Sequence, residues 1–122
     1  MRQRRRIRQL ANKARARKPL KHSTALTASA QAKANSLAKS GRLAHGQWWR
    51  EMYRHIRRNE WGSIAENIAS GQDSAAEVHQ DWMRSPGHRE NILNYRYDHL
   101  GVGIAKARGG KTYYVQHFGD KK

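Results

Sequence analysis

The spacing of apolar residues changes once along this chain, and that change constrains the fold more than any other feature. Up to Leu93, apolar positions mostly recur at three- and four-residue intervals, the period of helices that bury one face. From His99 onward they alternate, the period of strands. His99–Ala107 (HLGVGIAKA) and Thr112–Phe118 (TYYVQHF), joined through Arg108-Gly109-Gly110, therefore read as a β-hairpin. Helices flanking a small antiparallel sheet make a layered α+β domain. A length of 122 residues suits one domain spanning 1–122 around one core, and a hydrophobic share of 37% keeps that core modest.

The helical part divides at its caps. Ile7, Leu10, Ala11 and Ala14 form a narrow stripe on an otherwise basic helix over about 5–18, which Pro19 ends. Ser23 is a good N-cap for a second helix with Leu26, Ala30, Ala34, Leu37 and Ala38 on one face and Gly41 as its left-handed stop. Its small alanines require a close neighbour. Residues 44–61 carry Trp48, Trp49, Met52, Tyr53 and Ile56 among arginines. These read as core or edge packing first, and as a base-stacking surface for single-stranded nucleic acid second. Ser63–Ser70 is a strand or a buried turn. Ser74-Ala75-Ala76-Glu77 is a capping box that opens a helix burying Ala75, Val78 and Trp82. Ser85-Pro86-Gly87 ends it, and His88–Leu93 makes a further short turn of helix.

Charge is distributed unevenly. The chain carries 25 Lys and Arg against 9 acids, a formal net charge of +16, and 17 of those bases with 2 acids fall in residues 1–60. Such a field favours an anionic polymer, lipid or protein surface, with nucleic acid as a salt-sensitive variant. The contacts would come from Arg4, Arg5, Arg6, Arg8, Arg15 and Arg17. The alternative is a merely solvated face. There is no cysteine, so disulfides and thiolate metal sites are excluded. No apolar run reaches the roughly 18 residues of a membrane span, and no apolar stretch follows the first arginines as in a secretory signal.

Four separated segments then fall in order: Leu43-Ala44-His45; Ala65-Glu66-Asn67-Ile68-Ala69; Trp82-Met83-Arg84-Ser85-Pro86-Gly87-His88-Arg89-Glu90-Asn91-Ile92-Leu93; and Leu100-Gly101-Val102-Gly103-Ile104-Ala105. Together they resemble the bacterial branch of the CAP superfamily, the cysteine-rich secretory, antigen 5 and pathogenesis-related 1 proteins, from about Ile7 to Gly119. The resemblance implies a three-layer α-β-α sandwich with a small central antiparallel sheet, its first helix packed on the sandwich. It also implies an extracellular, cell-surface or virion location. Many members present two histidines and two acids to a cleft, and the histidines can hold a divalent cation. His45, Glu66 and His88 match three of those positions; the fourth falls near Ser85, which is not acidic, with Glu90 close by in sequence.

The chemistry of those residue types is consistent with that. Two neutral imidazoles meeting at one point suit zinc or a similar cation, and a neighbouring carboxylate orients a ring or takes a proton. Equally, His45 and His88 could simply hydrogen-bond Glu66. His22, His55, His99 and His117 have no spacing that argues for ligation, His79 is expected on the exposed side, and Glu77 is absorbed by capping. Three functions follow: a binding module for lipid, cell-wall polymer or protein; a metal-assisted hydrolase using His45, His88 and Glu66; and a structural subunit of a larger assembly such as a phage particle.

Overall fold

The computed structural model describes residues 2–122. Among these, helices α1 (Arg2–Arg15), α2 (Thr24–Ser40), α3 (Trp48–Met52), α4 (Ala75–Arg84) and α5 (Pro86–Leu93) surround strands β1 (Lys21–His22), β2 (Trp61–Ser70), β3 (His99–Lys106) and β4 (Thr112–Lys121). The sheet order is β1-β3-β4-β2. It is antiparallel as expected, except that β1, which the sequence does not reveal, pairs parallel to β3 at Lys21↔His99 and His22↔Leu100. Two residues carry no period, so nothing in the pattern could mark that edge. Ser63–Ser70 lies wholly within β2.

Strand alternation sorts the two layers of helices. Leu100 and Val102 of β3, Tyr114 and Phe118 of β4, and Ala65 and Ala69 of β2 face α1, α4 and α5, where they pack with Ile7, Ala11, Val78, Trp82 and Ile92. On the other face Ile68, Tyr113 and Val115 meet Ala30, Ala34 and Leu37 of α2, and Leu26 joins Met52, Ile56 and Trp61. A large side chain buried this completely contributes about 1.5–3 kcal/mol. Trp82 also satisfies its indole N–H, which donates to the Ile68 carbonyl at 3.2 Å.

The second layer sits unusually close to the sheet. A Cβ on Gly101 would fall 2.1 Å from the Leu26 carbonyl carbon, and one on Gly103 would fall 2.3 Å from that of Ala30. The Gly-Val-Gly of β3 is therefore the surface on which the α2 backbone rests, and the small alanines of α2 allow the approach. Its caps are the expected ones: Ser23 Oγ accepts from Leu26 N at 3.1 Å, and Gly41 adopts φ 72°. Ser74 Oγ likewise accepts from Glu77 N at the start of α4.

Helix α1 ends at Arg15, three residues before the expected limit, and it starts at Arg2. The reason lies in the backbone and in Arg15 itself. Ala16 and Lys18 take left-handed φ values of 65° and 52°. The Arg15 guanidinium turns inward and donates to the carbonyls of Lys18 (3.0 Å), Ile92 (2.8 Å), Asn94 (3.0 Å) and Tyr97 (2.9 Å). Arg15 is fully buried, so it is not one of the surface cations the charge pattern suggested. Burial lowers its pKa, partly countered by Tyr95 and Asp98. Asn12 then clamps the following turn, exchanging two hydrogen bonds with the Leu20 backbone.

Candidate functional site

Glu66 is the centre of the site. It lies mid-strand on β2 opposite His117 of β4, on the face covered by α2, and its side chain is 1% exposed. Two imidazoles approach it. His45 Nδ1 lies 2.8 Å from Glu66 Oε1, and His117 Nε2 lies 2.7 Å from Glu66 Oε2. A carboxylate only accepts, so both facing nitrogens carry the proton. Burial lowers the pKa of His117, although its hydrogen bond to Glu66 and the charge of Glu66 pull the other way. Nδ1 of neutral His117 lies 2.7 Å from Ser29 Oγ, whose one proton is shared between this nitrogen and the Leu26 carbonyl at 2.9 Å. The chain Ser29–His117–Glu66–His45 leads from the core to solvent, ending at His45, whose side chain is 49% exposed.

His45 sits in the segment after α2, held from behind. Lys33 of α2 donates to the His45 carbonyl at 2.5 Å and to Glu51 Oε1 at 2.8 Å. His88, third residue of α5, is half-buried. Its pKa is lowered by burial first and then by the charge of His45. A polar layer supports it: Asn67 Nδ2 donates to the His88 carbonyl (3.1 Å) and to Gln116 Oε1 (3.0 Å), and Asn91 Nδ2 donates to Asn67 Oδ1 (2.8 Å). The Asn67 side chain thus ties β2 to α5 and to Gln116 of β4.

The structure brings His45 and Glu66 together; His88 stands on α5, its carbonyl held by Asn67, with no hydrogen bond to either. Glu90 is exposed on α5 and makes no hydrogen bond or ion pair with His45, Glu66 or His88. Ser85 is the hinge residue between α4 and α5. The acid linked to the His45 segment is Glu51, by way of Lys33. His117, whose spacing argues for no ligation, is nevertheless the partner of Glu66. Its alternation with Tyr113 and Val115, which points it inward, is the signal that marks it. His79 is half-buried, with its pKa lowered by burial. Standing four residues after buried Ala75, it lies on the flank of the apolar stripe rather than opposite it.

The cation implied by the resemblance finds an incomplete donor set. Both Glu66 oxygens are engaged by imidazoles. Among the described residues no group of three His, Cys, Asp or Glu side chains is placed to hold a metal ion. A catalytic zinc site takes three protein ligands, so these residues do not fit one.

A mixed sheet between helical layers with a His-Glu-His site at its edge defines a CAP-type domain. The chain belongs to the CAP family, the cysteine-rich secretory protein family, whose sequence pattern matches residues 2–118. An extracellular protein containing an SCP domain from Bacillus anthracis str. Ames superposes with TM-score 0.84 at 25% identity, covering 96% of this chain and 40% of that one. An outer surface protein from Borrelia burgdorferi superposes with TM-score 0.82 at 22% identity, covering 95% and 87%. The fold also includes NaASP2, solved with Zn2+, at TM-score 0.68 and 13% identity, covering 95% and 78%. The Bacillus subtilis (strain 168) protein YkwD, itself uncharacterized, is 49% identical over 45 residues, 37% of this chain and 18% of that protein. The matched stretch is thus under a fifth of that relative's length. Among the described residues no helix is long and apolar enough to cross a membrane.

Proposed function

We propose that residues 1–122 form one CAP domain that works as a small extracellular or surface-associated binding module. It recognises lipid, cell-wall polymer or protein at the His45–Glu66–His88 site rather than turning over a substrate. The observation that carries this is the state of Glu66: both oxygens hydrogen-bond imidazoles, and the side chain is 1% exposed. Each oxygen accepts an imidazole N–H and is closed off from solvent, so the carboxylate orients the two rings rather than activating water or taking a substrate proton. His45 is held with Nδ1 inward, leaving Nε2 and the ring of His88 to meet a ligand.

The Ser29–His117–Glu66 arrangement has the residue types of a hydrolytic triad in the wrong orientation. A nucleophilic serine faces Nε2 of its histidine and the acid faces Nδ1; here the two are exchanged. Ser29 is also only 2% exposed and His117 1%. These groups brace the site.

The test is a binding screen with lipid vesicles, wall polymers and candidate proteins, comparing wild type with a His45→Ala/His88→Ala variant. The expected result is binding in the wild type that falls at least about tenfold, or about 1.4 kcal/mol, in the variant. Ester or peptide cleavage with added zinc, present in wild type and lost in His88→Ala, would overturn the reading in favour of a hydrolase.

A further inference from the structure

The basic half of the chain contributes to a surface feature separate from this site. Arg2, Arg5 and Arg8 recur every third residue on α1, about 4.5 Å apart along the helix axis. All three line a groove of about 630 Å³ whose far wall holds His22 and Thr27. Arg2 and Arg5 are exposed and Arg8 is half-exposed. Beneath it lie the buried Leu100 and Val102, and among the described residues no acidic side chain lines it. His22 also lines a second cavity, of about 430 Å³, which carries Lys121, His55, His99 and Arg57, the last paired at 3.9 Å with Glu60, the one acid among the described residues that line it. The two cavities therefore adjoin across β1. Together they form a cationic track from α1, past the start of α2, to the end of β4.

We propose that this track binds a flexible phosphodiester polymer that carries no bases. A single small anion would need only one of the two cavities, whereas a chain of phosphates uses both. Cations spaced along a channel match a chain of anions and draw affinity from counterion release. Single-stranded nucleic acid would need rings on which its bases stack. Among the described residues no Phe, Tyr or Trp lines the α1 groove, and Trp61, which lines the second cavity, is 5% exposed; the other rings there are the imidazoles of His22, His55 and His99. The exposed aromatics lie elsewhere: Trp49 on α3, and Tyr95 beneath Arg15 and Arg17. Of the six arginines the charge pattern suggested, Arg4, Arg5 and Arg8 line the track. Arg6 is exposed and lines neither cavity, Arg15 is internal, and Arg17 is stacked on Tyr95.

The experiment uses the full chain and a labelled glycerol-phosphate oligomer, with oligothymidylate of equal charge as the competing class, each titrated between about 50 and 200 mM salt. Expected is tighter binding of the glycerol-phosphate oligomer. Arg5→Glu/Arg8→Glu should weaken it at least tenfold and reduce the log K against log salt slope by about 2. His22→Glu should weaken it at least threefold. Arg84→Glu/Arg108→Glu changes the net charge equally away from the track and should shift affinity less than threefold, as should His45→Ala, which separates this site from the His-Glu-His site. Arg5→Gln/Arg8→Gln repeats the test with milder changes, and melting temperatures check that each variant is folded. Absence of binding at about 50 mM salt, tighter binding of oligothymidylate, or equal losses in the track and control pairs would overturn the proposal.

Discussion

Replacing Gly103 by alanine tests the packing that positions the whole site. The added Cβ would stand 2.3 Å from the carbonyl carbon and oxygen of Ala30 and 2.5 Å from the nitrogen of Gln31. An ordinary contact between carbons is about 3.5–4.0 Å, so α2 must retreat from β3 by about 1 Å. Both sides of the clash are backbone, and no rotamer can relieve it. Retreat also loosens Leu26, Ala30 and Leu37, all buried beneath α2. Overpacking costs about 1–3 kcal/mol, and a backbone clash belongs at the upper end, about 3 kcal/mol. That is a large part of a total stability of about 5–15 kcal/mol. At about 4 °C per kcal/mol it lowers the melting temperature by about 12 °C. Gly109→Ala is the matched control, because a Cβ there meets nothing within 4 Å; its effect should lie between zero and about 1 kcal/mol of added stability. Thermal melts followed by circular dichroism read both. A Gly103→Ala melting temperature within about 2 °C of wild type would refute the claim that α2 rests on this strand.

Other outcomes follow from the same contacts. Because His117 titrates below its ordinary value, the unfolded chain takes up a proton near pH 6.5 that the folded chain does not. Stability is therefore full above that pH and falls as pH drops below it, by up to about 1.4 kcal/mol per unit, and urea midpoints at pH 5.5 and 7.5 should show a smaller difference in His117→Gln. Arg15→Met strands four carbonyls that the guanidinium now satisfies, and should cost at least about 3 kcal/mol in urea unfolding; a loss below about 1 kcal/mol would contradict its internal role. Because no group of three His, Cys, Asp or Glu side chains among the described residues is placed to hold a metal ion, added zinc should leave the melting temperature unchanged, whereas a rise reversed by chelator would reveal a complete ligand set.

Much of the fold is legible in the sequence because local chemistry and tertiary packing agree. Ser23 and Gly41 bound α2, Ser74 opens α4, and the alternation after His99 is the hairpin. Three things are not legible, each for a physical reason. The parallel β1 is two residues long and has no pattern. Arg15 reads as one more surface charge, although it continues the buried Ile7–Ala11 stripe at the next four-residue step. The pairing of Glu66 with His117 depends on the register of β2 against β4, which no local signal encodes. His45, Glu66 and His88 stand out through family resemblance. Ser29, Lys33, Glu51 and His117, which hold them in place, emerge only from the structure.

The binding site as described stands or falls on Glu66 being committed to His45 Nδ1 on one side and His117 Nε2 on the other. Long-range 15N–1H correlation spectra of histidine-labelled protein at about pH 7.5 read this, since they report which nitrogen of each neutral ring carries the proton. These contacts require the Nδ1–H form for His45 and the Nε2–H form for His117, with the His45 preference lost in Glu66→Ala. A His45 ring mainly in the Nε2–H form, unchanged in Glu66→Ala, would rule the arrangement out.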